Sequence, residues 1–93
     1  LVTTIIEDDW TTAVRTVARI KSERGLALAD ILEALATEFE EYELNPDARI
    51  ALLEGLSEIE YRLSGGGNEV IQTSGAIGVV KKTLDIQGGL LKV

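Results

Sequence analysis

The apolar residues of this chain recur at intervals of three and four, the spacing that places side chains on one face of an α-helix. No segment shows the sustained two-residue alternation that is typical of a half-buried strand. We therefore expect an all-α fold, a compact bundle of about four to five helices. A chain of 93 residues is expected to form one domain, 1–93, with a tail at about 87–93 outside the core.

Two helices are predicted before Gly25. Leu1 to Glu7 is short and apolar and is interpreted as the end of a helix. Asp8 or Asp9 can cap the next helix, because an Asp carboxylate accepts hydrogen bonds from the free N–H groups of a first turn. Gly25 is predicted to end that helix in the left-handed conformation. The expected apolar face of the second helix comprises Trp10, Ala13, Val14, Val17 and Ile20.

Two further helices are predicted between Gly25 and the run of three glycines. The third starts near Leu28, and its apolar face comprises Leu28, Ile31, Leu32, Leu35 and Phe39, extended by Tyr42. Asn45 and Pro46 indicate the start of the fourth, since Asn caps well and Pro is tolerated in a first turn. The fourth is expected to reach about Ser64, with one face made of Leu52, Leu56, Ile59 and Leu63 and widened by Ile50 and Leu53. Gly55 in its interior costs about 1 kcal/mol relative to alanine, which only a close neighbour would explain.

Three consecutive glycines, Gly65 to Gly67, could form a phosphate-binding loop or a break between helices. Both common phosphate motifs, GxxxxGK[ST] and GxGxxG, fail because Val70 stands where each requires a glycine. A helix precedes these glycines, not a strand. We therefore interpret them as a helix break, with Asn68 capping the fifth helix.

The fifth helix, from Asn68 to about Ile86, is apolar or small on nearly every side. One stripe comprises Val70, Ile77, Val80 and Leu84; a second comprises Ala76, Val79 and Ile86; a third comprises Ile71, Gly75 and Gly78, with Lys82 beyond. A helix of this kind is normally buried on more than one side. It is either the central helix of the bundle or a helix whose second face meets another subunit. In the second case the predicted interface comprises Ile71, Gly75, Gly78, Val79, Lys82 and Ile86.

The residue types exclude several chemistries. The chain has no cysteine and no histidine, which excludes disulfides, thiol catalysis, structural zinc and a Ser-His-Asp triad. Tyr61 and Arg62 could stabilise an anion, but a helix end would use them for packing and hydrogen bonds. Trp10 is assigned to the core. We predict no catalytic, cofactor-binding or metal-binding residue, and hence no enzyme.

The net charge of −7 is unevenly distributed, because residues 30–60 hold ten acidic groups and one basic group, Arg49. This segment is interpreted as a solvated surface, with a basic partner as the alternative. Lys81, Lys82 and Lys92 are the remaining candidates for direct nucleic-acid binding. No apolar run approaches the ~20 residues of a membrane span. The first residues lack a basic region and are no signal peptide. Since the chain has no methionine, we expect a piece of a longer protein.

Two stretches resemble a known family. KSERGLALADIL, residues 21–32, and LSEIEYRLSGGGNEVIQTSGAI, residues 56–77, are similar to the C-terminal part of replication factor C small subunits, the clamp-loader proteins of eukaryotes and archaea. The likeness is greatest to the branch called the third subunit in fungi and the fifth in humans. It covers residues 5–86. The positions that match the family's motifs include Gly25, Tyr61, Arg62, Asn68, Glu69 and Gln72.

The resemblance implies an all-helical collar domain. In that family five such domains pack in a ring, and the collar holds ATPase subunits that load a sliding clamp during DNA replication in the nucleus. The implied partners are other replication factor C subunits, with the clamp and primer-template DNA reached only through the parent complex. ATP and Mg²⁺ would belong to the ATPase part, so no cofactor is expected in this chain. The alternatives are a stand-alone helical domain that binds a protein or ligand without catalysis, and self-association.

Overall fold

The structure, a computed structural model, describes residues 2–88 and 91–92. Five helices follow one another in this part of the chain: α1 (Val2–Glu7), α2 (Trp10–Arg24), α3 (Leu28–Phe39), α4 (Pro46–Ser64) and α5 (Glu69–Gln87). The predicted all-α class is confirmed. Two short strands, β1 (Tyr42–Glu43) and β2 (Leu91–Lys92), pair antiparallel, with Tyr42 opposite Lys92. This pairing was not predicted, because two residues are too few to show a period. The rest of the predicted tail lies outside the described residues.

The predicted helix ends are confirmed. The side chains of Asp9, Asn45 and Asn68 each accept a hydrogen bond from the backbone N–H three residues on, at 2.8, 2.8 and 3.1 Å. These bonds satisfy N–H groups that have no partner within their own helix. Gly25 ends α2 at φ 64°, in the left-handed region.

Every helix contributes side chains to the core, and α5 has the most neighbours. α5 packs against each of the other four helices, most extensively against α4. The buried apolar cluster comprises Val2 and Ile5 of α1, Ala13 and Val17 of α2, Leu28, Ile31, Leu32, Leu35 and Phe39 of α3, Leu52, Leu56 and Ile59 of α4, and Ala76, Ile77 and Val80 of α5. The whole predicted face of α3 is therefore buried, whereas α5 contacts all four other helices and still keeps one side exposed.

Several apolar residues on the predicted helix faces are exposed to solvent. Ile50 and Leu53 are each 54% exposed, so the expectation that they widen the buried face of α4 is wrong. Val70 is 74% exposed, because no described helix covers that side of the first turn of α5. Trp10 is 46% exposed, so its assignment to the core is wrong as well. The bundle thus leaves apolar surface uncovered along α4 and α5.

Gly55 allows α4 and α5 to approach closely. A Cβ atom at Gly55 would lie 2.7 Å from both γ-carbons of Val79 and 3.2 Å from its Cβ. No real side chain tolerates contacts this short, so the helices could not lie at this distance with alanine in the same place. Val79 is therefore the close neighbour that explains a glycine in the interior of α4.

The short α1 is held by contacts at both of its ends. The Val2 N–H donates to Oε2 of Glu38 at 2.8 Å. The Lys81 Nζ donates to the carbonyl oxygens of Ile5 and Asp8 at 3.1 and 3.0 Å. A helix of six residues does not persist alone in water, so these tertiary contacts maintain it. Two of the three N–H donors of the Lys81 ammonium are therefore used within the fold.

Candidate subunit-docking face

A groove of about 380 Å³ runs between the outer sides of α4 and α5. Gly55 and Val79, in contact with each other, line it together with Ile50, Lys82 and Ile86. Ile50 and Ile86 are 54% and 39% exposed, so apolar side chains on both helices face solvent along the groove. The groove therefore brings together three residues of the predicted interface: Val79, Lys82 and Ile86.

Two further predicted interface residues extend this surface along α5. Ile71 is 66% exposed, and Gly75 is also exposed. Because they precede Val79 by eight and four residues, they lie on the same side of the helix. We call the surface made of Ile50, Ile71, Gly75, Val79, Lys82 and Ile86 the docking face.

The docking face has charged margins around an apolar centre. Exposed Asp47 and Glu54 of α4 line the groove on one side, and exposed Lys82 of α5 lines it on the other. Glu58 also lines the groove and forms an ion pair with Arg62 one turn further along α4. Apolar centres with polar rims are typical of protein–protein interfaces, so a protein surface is a suitable occupant.

Gly78 lies next to the indole ring of Trp10. A Cβ atom at Gly78 would lie 3.0 Å from Cη2 and 3.6 Å from Cζ3 of Trp10. This contact gives Gly78 a role within the fold, and its place in a subunit interface stays a prediction. Half-exposed Trp10 is thereby brought next to α5 at the edge of the docking face. This contact with α5 was not predicted, because the helical period assigns Trp10 only to the apolar face of α2.

Glu69, one of the family-motif residues, joins three helices. Its Oε1 accepts a hydrogen bond from the Leu28 N–H at 2.8 Å and lies 2.9 Å from Nζ of Lys21. The hydrogen bond from Lys21, followed by the one from Leu28, lowers the pKa of the Glu69 carboxyl below its ordinary value. Glu69 thus links the start of α5 to the end of α2 and the start of α3, which is a structural role.

Three other family-motif residues, Tyr61, Arg62 and Gln72, lie near the junction of α4 and α5. Tyr61 is 79% exposed, so the expectation that it packs at the end of α4 is wrong. Arg62 makes the ion pair with Glu58 that the spacing of four favours. Gln72 is buried, and it lines a cleft together with Tyr61, Arg62 and the three glycines.

Two other kinds of site are absent from the described residues. No helix within residues 2–88 has the length and apolar character needed to cross a membrane. In the part of the chain that the structure describes, no three His, Cys, Asp or Glu side chains are grouped so that they could hold a metal ion.

Sequence comparison defines the class of protein. Residues 1–79 match the family described as the replication factor C C-terminal domain, and the chain belongs to this family. The predicted membership of the replication factor C family, through its C-terminal domain, is therefore confirmed.

The similar proteins are individual replication factor C subunits. Replication factor C subunit 3 of Blastobotrys adeninivorans is 52% identical over 83 residues, which are 89% of this chain and 25% of that protein. Replication factor C subunit 3 of Saccharomyces cerevisiae is 45% identical over 82 residues, 87% of this chain and 24% of that protein. Replication factor C subunit 5 of Homo sapiens is 39% identical over 82 residues, 88% of this chain and 24% of that protein. The chain spans about a quarter of the length of these relatives.

Proposed function

We propose that this chain is the collar domain of a clamp-loader small subunit and that its docking face joins it to a neighbouring subunit in a pentamer. The pentamer would load a sliding clamp onto primer-template DNA during replication in the nucleus. The observation that carries this proposal is the uncovered apolar groove between α4 and α5 in a member of the replication factor C C-terminal domain family.

The exposure of Ile50, Ile71 and Ile86 supports an occupant for the docking face. All three are large apolar side chains that are 39% to 66% exposed; Ile50 and Ile86 line the same groove, and Ile71 lies further along α5. Burying apolar surface stabilises a complex by roughly 25 cal/mol per Å² before the costs of association. Contiguous exposed apolar surface of this kind marks sites of protein association.

A ring of subunits requires two different surfaces on each member, since each contact joins unlike patches. The docking face would supply one of these two surfaces. An interface of standard size buries about 1,600 Å² in total, so the groove would form its centre and charged residues such as Glu54 and Lys82 its margin.

The proposed role of the domain is to hold subunits together, not to catalyse a reaction. The ATP and Mg²⁺ of the clamp loader would be bound by the ATPase part of the subunit, and the sliding clamp and DNA would be contacted through the assembled complex. This chain would fix the spacing of the ATPase parts around the ring.

Co-purification of the full-length subunit with its four partner subunits tests the proposal. Ile86→Asp places a charge at the docking face, where burial without a partner charge is costly. Leu53→Asp is the matched control, because Leu53 is similarly exposed but lies beside α3. We expect Ile86→Asp to be lost from the complex on size-exclusion chromatography and Leu53→Asp to remain. Equal assembly of both variants would contradict the proposal.

A further inference from the structure

A second groove lies between α3 and α4, on a different side of α4 from the docking face. It has a volume of about 380 Å³ and continues past Ala36 and Leu53 into a smaller depression of about 130 Å³. We call the two together the α3/α4 groove. None of the residues that line it belongs to the docking face, so contact between subunits through that face does not account for the groove.

We infer that the α3/α4 groove binds an amphipathic helix with basic margins, which belongs to a protein outside the pentamer. The inference rests on the proposed function in one respect, that the docking face and not this groove joins the subunits of the ring. The apolar floor, the helical walls and the charge of the groove identify the occupant.

The floor of the groove is apolar. Leu32 of α3 and Leu56 of α4 form it, and both are buried. Leu53 lies beside them and is 54% exposed, so a large apolar side chain of the groove remains in contact with water. Ala36 and Ser57 have small side chains, so an occupant can approach both helices closely. Covering Leu53 would remove apolar surface from water, which favours binding.

The walls of the groove favour a helix over an extended segment. The larger part is lined by positions 29, 32, 33 and 36 of α3 and by positions 53, 56, 57 and 60 of α4. Spacings of three, four and seven place each set on one side of its helix, and a third helix can pack between two such sides. The backbone N–H and C=O groups inside a helix are already paired, so an extended segment would find no main-chain partner here. Each side is about 10 Å long, which two to three turns of a helix cover.

The charge of the groove requires basic residues on the occupant. Glu33 of α3 and Glu60 of α4 line the larger part and are exposed, and no basic residue lines that part. Neither carboxylate forms an ion pair with another described residue. Arg49 lines only the smaller depression, together with Glu40. An apolar floor between two unpaired carboxylates is complementary to an apolar helix face with Lys or Arg on both margins.

A designed peptide of about 16 residues tests the inference, long enough to form a helix. It has leucine at intervals of three and four and lysine on both margins of the leucine face. Fluorescence anisotropy measures its binding to the full-length subunit at low salt. We expect saturable binding, and the same peptide with glutamate in place of each lysine should bind about tenfold more weakly or less.

Charge reversal on the subunit locates the binding site. Glu33→Lys together with Glu60→Lys alters two exposed side chains and should leave the fold intact. We expect this double variant to bind the lysine peptide about tenfold more weakly and to bind the glutamate peptide instead. Glu23→Lys together with Asp85→Lys is the matched control, because both side chains are exposed and lie outside the groove. Its affinity for the lysine peptide should stay within about twofold of the parent's. Equal affinity of the two peptides for the parent subunit, or of the two double variants for the lysine peptide, would overturn the inference.

Binding to the assembled pentamer separates this inference from the proposed function. We expect the lysine peptide to bind the pentamer and the free subunit with equal affinity, because the docking face and the groove share no residue. A peptide that binds the free subunit but not the pentamer would show that another subunit covers the groove, which overturns the inference alone. Failure of the unmodified subunit to form the pentamer would overturn the proposed function, and binding of the peptide to the free subunit would still be expected.

Discussion

Gly55 of α4 and Val79 of α5 lie in direct contact, with both γ-carbons of Val79 only 2.7 Å from the position of a Cβ on Gly55. This contact sets the distance between the two helices that border the docking face. It also forms the floor of the groove between Ile50 and Ile86. The fold and the proposed function therefore depend on the same pair of residues.

Gly55→Ala is expected to destabilise the protein. Alanine improves helix propensity by about 1 kcal/mol, but overpacking costs about 1–3 kcal/mol and Val79, being β-branched, has few other rotamers. The net result should be a loss of roughly 1 kcal/mol in the free energy of unfolding, measured by urea denaturation.

Gly75→Ala is the matched control for this prediction. Gly75 is also inside a helix, but a Cβ there would lie 3.7 Å from Cδ1 of Ile59, an ordinary contact. We expect this variant to gain about 0.5–1 kcal/mol from helix propensity alone. If both alanine variants stabilise the protein to the same extent, the close contact between Gly55 and Val79 does not exist in solution.

Lys81 and Lys82 are adjacent, yet we expect opposite sensitivities to substitution. Lys81→Met removes the hydrogen bonds to the carbonyl oxygens of Ile5 and Asp8, which should cost about 1–3 kcal/mol and expose the amides of α1 to hydrogen exchange. Lys82→Met, at an exposed position, should change stability by less than about 0.5 kcal/mol. Urea denaturation and hydrogen exchange measure both effects, and equal losses in the two variants would rule out the role assigned to Lys81.

The lowered pKa of Glu69 predicts a dependence of stability on pH. Lys21 and the Leu28 N–H stabilise the ionised carboxylate in the folded state, so the folded pKa lies below that of the unfolded chain. The stabilisation is therefore fully present above the unfolded value of about 4.3 and is lost as pH falls through the folded pKa.

Glu69→Gln isolates this contribution, because glutamine can still accept the hydrogen bond but carries no charge. The urea midpoint of the parent protein should fall more steeply than that of the variant as pH decreases below about 4.3. Part of the loss of stability with falling pH should persist in the variant, because the hydrogen bond from the Thr12 N–H also lowers the pKa of Asp9. Parallel pH profiles for the two proteins would show that Glu69 keeps its ordinary pKa in the folded state.

The local features of the fold could be predicted from sequence. Asp9, Asn45 and Asn68 cap helices because their short side chains accept a hydrogen bond from an N–H of the first turn. Gly25 ends α2 because glycine adopts the left-handed conformation readily. The buried face of α3 also follows from its period alone.

Features that depend on neighbouring helices could not be predicted in the same way. Helical period identifies the centre of an apolar face but not its width, which explains why the expectation that Ile50 and Leu53 widen the buried face of α4 is wrong. The candidate interface was inferred from excess apolar residues on α5. The structure brings most of these residues together, and whether they bind a subunit remains the proposal.

The cysteine-free sequence allows the central claim to be tested by thiol labelling. A single cysteine is placed at Ile86 on the docking face or at Leu53 beside α3, in the full-length subunit with any other cysteine removed. The rate of maleimide labelling is then compared before and after assembly with the partner subunits. The proposal predicts that Ile86→Cys becomes strongly protected while Leu53→Cys reacts at its original rate. Labelling of Ile86→Cys at the same rate in the free subunit and in the assembled complex would contradict it.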